Sequence, residues 1–200
     1  MITLPNECLY EIFIRLRIYP RCLFSCLLVN RQWCRNIVPI LWSEPSTIHL
    51  RNRNLTKMCI LALNAKEQAQ LIPLKIILPD DPKPLFNYTT YITSIDYTAN
   101  PLSCEHNLTT GITNWLKHEG FIHFDQIDVL NSVARQVKRS LIAMFLRTCI
   151  NLKCFYIPGS FVDLLELEDA KLFLENPTLT SLNLANNHFS SEKGKLLIEA

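Results

Sequence analysis

Residues 1–42 hold 26 members of the apolar set Ala, Val, Ile, Leu, Met, Phe, Trp, Tyr and Cys, yet Pro20 and Pro39 interrupt the run. Proline removes a backbone donor and clashes with the preceding turn, so this stretch cannot form one long helix and instead predicts three short ones. The first begins at Pro5, whose missing N–H costs nothing in the first turn, with Glu7 well placed against the helix dipole. Leu9, Ile12, Phe13 and Leu16 then recur at helical spacing on one face, and Tyr10 and Ile14 start a second. Pro20 restarts the chain, and Leu23, Cys26 and Leu27 mark the second helix. Asn30 is a natural N-cap for the third, which Pro39 is expected to stop before Leu41 and Trp42. A segment of about 40 residues lies at the lower limit for independent folding, so three such helices cannot hide this much apolar surface among themselves. Either the rest of the chain or a partner must cover the excess.

The order of these residues carries a resemblance. Leu4-Pro5-x-Glu7-x-Leu9-x-x-Ile12-Phe13-x-x-Leu16, then Leu23, Leu28-Val29-Asn30-Arg31-x-Trp33 and Leu41-Trp42 together resemble an F-box from end to end. Cys8 stands where that family commonly has leucine. The resemblance implies a trihelical module over residues 1–43 that docks on the Skp-type adaptor of a cullin–RING (SCF) ubiquitin ligase, while the remaining chain recruits the target protein. It also implies adaptor contacts at Leu4, Pro5, Leu9, Ile12, Phe13, Leu16, Leu23 and Val29, seated in a groove between adaptor helices. Trp33 and Trp42 are large enough to supply much of the packing of so small a module. They are expected in its core and at its junction with the next part of the chain.

A second pattern repeats along the chain. Leu179-x-x-Leu182-x-Leu184-x-x-Asn187-x-Phe189 is preceded 27 residues upstream by Leu152-x-x-Phe155-x-Ile157-x-x-Ser160-x-Val162, and 28 further back by Phe124-x-x-Ile127-x-Val129-x-x-Ser132. Such spacing falls within the period of about 20–29 residues of leucine-rich repeats, and the last copy resembles their ribonuclease-inhibitor-like class. Between the copies the spacing turns helical, through Val133, Val137, Leu141, Met144 and Phe145 in one segment. Leu167, Ala170, Phe173 and Leu174 mark the other, which Asn176-Pro177 stops.

The expected fold class is therefore an α/β solenoid: a three-helix F-box followed by irregular leucine-rich repeats, with parallel strands on one side and helices on the other. Residues 124–200 are assigned to the repeats, the C-terminal one incomplete because Leu196, Leu197 and Ile198 have nothing to stack on. Residues 44–123 are assigned to a connector with degenerate repeats at Pro45-x-x-Ile48-x-Leu50, Leu71-x-x-Leu74-x-Ile76 and Ile92-x-x-Ile95-x-Tyr97, a helix from Leu55 to Leu71, and a loop over 78–86. Asp128, Tyr156, Ser181 and Asn183 alternate with the apolar strand positions, so they are the candidate target contacts on the concave face.

Charge and chemistry exclude other classes. A net charge of +2 is too balanced for binding driven by counterion release, so no nucleic-acid partner is expected. Eight cysteines without a CxxC pair point to a reducing compartment rather than to a metal or redox motif. With neither a secretory leader nor a membrane-length apolar run, a cytoplasmic or nuclear location is expected, without membrane contact. Cys104, His106, His118 and His123 fit no usual zinc frame and read as loop residues. No Cys–His or carboxylate pair is singled out, and Arg135, Lys138 and Arg139 read as a solvated helix exterior. The chain is thus expected to be no enzyme, with no catalytic residue, metal or cofactor. Two alternatives remain open at this point: a repeat protein that binds or inhibits other proteins without any link to ubiquitin, and a hydrolase built on a Cys/His pair.

Overall fold

A computed structural model describes residues 4–44, 52–82, 84–95, 107–120, 127–156 and 176–183. The described elements are α1 (Asn6–Arg15), α2 (Pro20–Leu27), α3 (Arg31–Ser43), α4 (Arg53–Leu61), α5 (Ala65–Ala69), β1 (Ser94–Ile95), α6 (Asn107–Trp115), α7 (Ile127–Thr148), β2 (Cys154–Tyr156) and β3 (Ser181–Asn183). The described residues are mostly helical, with one small three-stranded parallel sheet among them.

The first three helices close on a core of their own. Leu9 and Phe13, one turn apart on α1, meet Leu23 of α2 and Ile37 and Ile40 of α3, and all five are buried. Trp33 packs edge-on against Phe13 with ring centroids 5.1 Å apart. Asn30 caps α3 by accepting the Trp33 N–H at 2.9 Å. Gln32 Nε2 donates to the Leu4 carbonyl and to Asn6 Oδ1, which ties the start of α1 to α3. Contrary to expectation, Pro39 lies inside α3 rather than at its end. An interior proline costs about 3 kcal/mol or more, but Ile37, Val38 and Ile40 are buried on both sides of it, and their packing outweighs that cost.

A second, larger core runs from Cys59 to Phe155, with Leu179 and Leu182 packed against it. The helix expected from Leu55 to Leu71 is two helices, because Asn64 stops the first and caps the second. Its Oδ1 accepts the Glu67 N–H at 2.8 Å while Glu67 Oε2 accepts the Asn64 N–H at 2.7 Å, a reciprocal capping box. Leu71-x-x-Leu74-x-Ile76 is no strand. Pro73 denies a ladder its donor, Ile72–Leu74 coil into a 3-10 turn, and Lys75 adopts a left-handed φ of 55° directly after it.

Phe124-x-x-Ile127-x-Val129 is not a strand either, since Ile127 opens the 22-residue α7. The helical spacing already starts at buried Leu130 and continues through Val133, Ala134, Val137 and Leu141, and this long run overrides the short strand-like pattern. Lys138, expected in solvent, is 9% exposed, and Ser140 is fully buried. The helix touches α5, α6 and the turn Tyr88–Tyr91, which bury more than its one apolar stripe. The sequence reading assigned no element to α6, although Leu108, Ile112, Trp115 and Leu116 form a buried stripe along it and the adjoining π-helical turn Leu116–Gly120. The pattern around Pro45, the second intervening helix and the last repeat beyond Asn183 lie outside the described residues.

The sheet has the order β1-β2-β3, all parallel. Ser94 pairs with Cys154 and Cys154 with Ser181, and in the next row Ile95 pairs with Phe155 and Phe155 with Leu182. Just before the strands a ladder of carbonyls crosses the molecule. Thr93 donates its N–H (2.8 Å) and its hydroxyl (3.0 Å) to the carbonyl of Ser43, the last residue of α3. The Thr93 carbonyl accepts the Lys153 N–H at 2.7 Å, and the Lys153 carbonyl accepts both the N–H (2.9 Å) and the hydroxyl (3.0 Å) of Thr180. The C-terminus of α3 thereby sits where a preceding strand would.

Glu67 locks α5 to α7. It is 6% exposed and receives Arg147 Nε at 2.9 Å and Nη2 at 2.8 Å, one on each carboxylate oxygen. Arg147→Ala would strand this carboxylate. Loss of one partner of a buried pair costs about 3–5 kcal/mol, and the 38% exposure of the arginine lowers the expected cost to about 2–3 kcal/mol. Urea denaturation of the variant measures this.

Candidate docking faces

The N-terminal module exposes what its core leaves over. Among the described residues, Leu4 is 47% exposed, Tyr10 and Ile12 both 46%, and Val29 58%. Ile18, Tyr19, Phe24 and Leu28 are also exposed. Among the described residues, eight of the thirteen exposed large hydrophobic side chains fall within positions 4–29, a concentration that makes this module the first candidate docking face. Successive helical residues are rotated by about 100°, so Ile12 looks outward when Phe13 looks inward.

This sorts the expected adaptor contacts. Leu4, Pro5, Ile12 and Val29 are exposed, and Leu16 is half-buried against the module core. Leu9, Phe13 and Leu23 are 2%, 1% and 0% exposed, so their assignment as contacts is corrected: they hold the three helices to one another and present no side chain to a partner. Ile18, Tyr19, Phe24 and Leu28 are exposed as well, and none of them is among the contacts expected from the sequence. The signal available was their excess over what the stripe through Leu9 and Phe13 could bury.

Trp42 stands at the rear of the module. It stacks on Tyr88 with centroids 4.6 Å apart, and Phe86 leans on the same tyrosine at 5.7 Å. Arg17 and Glu44 form an ion pair that closes the module beside this joint. Further back, Lys57 Nζ bridges Asp81 and Glu119, at 2.9 Å from each.

The sheet offers a second face. Phe155 is buried beneath it and Leu182 packs on the same core, while Cys154 and Ser181 are exposed and Ser94 half-exposed. Ser181 therefore stands on the outer face, in one row with Ser94 and Cys154. Tyr156 and Asn183 pair in the row two positions on; their side chains lie outside the described ones. Asp128 does not belong to this face. It is exposed in the first turn of α7, so its assignment as a strand contact is corrected.

The described residues contain no group of three His, Cys, Asp or Glu side chains that could hold a metal ion. His118 is exposed on the π-helical turn after α6 rather than in a loop; Cys104, His106 and His123 lie outside the described residues. Burial pushes the thiols of Cys59 and Cys149 up to about 12, and the charge of a Cys149 thiolate would further disfavour ionisation of Cys59. Both stay protonated at neutral pH and supply no thiolate. A cavity of about 400 Å³ is lined by Cys59 together with Asn64, Tyr88, Arg147 and Thr148. No helix among the described residues is long and apolar enough to cross a membrane. No family model, no curated protein and no solved structure matches the chain.

This geometry has two measurable outcomes. Phe13→Ala should destabilise the module by about 3–5 kcal/mol, while Val29→Ala should leave stability within about 0.5 kcal/mol, both read by thermal unfolding. Cys59 and Cys149 are neutral in the folded chain but ionise near 9 once unfolded, so folding should weaken as pH rises from about 9 towards 12. Unfolding midpoints across that range measure the loss, and Cys59→Ala should flatten the slope.

Proposed function

We propose that this chain is the substrate-recognition subunit of an SCF-type cullin–RING ubiquitin ligase, with its N-terminal module acting as the F-box. One observation carries the reading: a module whose Leu9, Phe13 and Leu23 complete its own core still exposes Leu4, Ile12 and Val29 beside Tyr10, Ile18, Tyr19, Phe24 and Leu28. A surface so apolar calls for a protein cover, and the groove between adaptor helices provides one. Under this reading the contact set is Leu4, Pro5, Ile12, Leu16 and Val29, widened by Tyr10, Ile18, Tyr19 and Leu28.

The remaining chain would be the target-binding part. The parallel strands β1, β2 and β3 support a leucine-rich-repeat arrangement in which apolar residues at 95, 155 and 182 face the helices, while Ser181 lies on the strand surface offered to the target and the Tyr156–Asn183 pair continues the strands two positions on. The ligase would work in the cytoplasm or nucleus. Transfer chemistry would belong to the recruited enzymes, and this chain would raise the effective concentration of the target near the thioester.

Co-expression with a Skp-type adaptor tests the proposal. The wild-type chain should co-purify with the adaptor in equimolar amounts, and Ile12→Asp combined with Val29→Asp should weaken that association at least tenfold with unchanged circular dichroism. An adaptor that never co-purifies, or that binds the double variant equally well, contradicts the assignment.

A further inference from the structure

A cavity of about 490 Å³ opens where the N-terminal module meets the body behind it. Phe24, Val38 and Trp42 wall it on the module side, and Leu55, Met58 and Phe86 on the other. None of its lining residues carries a charge. Cys34, Trp42, Asn52 and Tyr88 are the lining residues with polar side-chain atoms, and Asn52 Oδ1 is already engaged by the Asn54 N–H at 2.8 Å. Phe24 and Leu85 line the cavity while remaining 55% and 86% exposed, so its mouth is open.

Water fits such a space poorly, because an ordered molecule needs two to four polar partners and the walls offer few. A polypeptide would bring backbone N–H and C=O groups that need partners, and the wall contributed by α2, α3 and α4 spends most of its own within the helices. The volume lies within the range of about 300–1,000 Å³ that small-molecule sites occupy, and junctions between packed units are where such sites concentrate.

We propose that this cavity binds an uncharged, largely apolar small molecule, with the Asn52 amide N–H groups and the Tyr88 hydroxyl available to a single polar group on it. The site is wedged between the module and the rest of the chain, so its occupant would brace the Trp42–Tyr88 joint. The inference does not depend on the ubiquitin-ligase reading.

The test is a fluorescence titration of the whole chain with N-phenyl-1-naphthylamine, a neutral apolar probe. Expected is saturable binding at one site per chain, weakened at least tenfold by Leu55→Trp, which fills the cavity, and several-fold by Leu85→Asp, which places a charge at the mouth on an exposed loop position. Ile12→Asp, on the outer face and away from the lining, should leave binding unchanged. Circular dichroism establishes that each variant is folded, and if Leu55→Trp fails to fold, Leu85→Asp decides. The absence of saturable binding to the folded wild type would leave the groove to a polypeptide side chain and overturn the proposal. Binding untouched by Leu85→Asp, or lost in Ile12→Asp, would place the probe elsewhere and overturn it equally.

Discussion

The carbonyl of Ser43 is the point on which the architecture turns. A helix ends with carbonyl groups that have no intrahelical partner, and here the last turn of α3 gives its Ser43 carbonyl to the N–H and hydroxyl of Thr93. Thr93 passes the pattern to Lys153, and Lys153 to Thr180, so a helix terminus and three strand entrances share one continuous row of hydrogen bonds. The helical module is consequently registered against the sheet by backbone bonds. The Trp42–Tyr88 stack adds a side-chain anchor at the same joint.

That registration gives physical meaning to the division of apolar surface. The two cores are separate, one among Leu9, Phe13, Leu23, Ile37 and Ile40, the other from Cys59 to Phe155. The second body touches the rear of the module, around Trp42 and Ser43, and leaves Leu4, Ile12 and Val29 on the front uncovered. In the proposed ligase, an adaptor on the front and a target on the strand surface would be held at a fixed separation by the ladder between them. For a subunit that acts by proximity, a fixed separation is the useful property.

Much of the N-terminal module was legible in the sequence because its signals are local. Pro20 and Asn30 start helices for reasons that need no tertiary context, and Trp33 and Trp42 are too large to lie anywhere but in packed positions. Which side of α1 faces inward was not legible. Leu9, Ile12, Phe13 and Leu16 satisfy one helical stripe, and only the position of α3 decides that Leu9 and Phe13 are sealed while Ile12 is not. Pro39 was misjudged for a related reason, since propensity argues for a stop and burial on either side of it prevails.

The sheet was harder to read. Ile92-x-x-Ile95 and Phe124-x-x-Ile127-x-Val129 have the same form, yet the first enters β1 and the second opens a helix. The even spacing of 27 and 28 residues favoured the wrong one. The true neighbour of Phe155 is Ile95, sixty residues earlier, with α6 and α7 between them. A three-residue apolar pattern carries no information about the residues beyond it, and the uninterrupted helical run from Leu130 to Phe145 was the stronger signal. The most direct measurement of the central claim is hydrogen–deuterium exchange of the chain with and without a Skp-type adaptor. The account predicts slowed exchange across residues 4–29 and none at β2 or β3; unchanged exchange in the N-terminal helices, or protection confined to the strands, would contradict it.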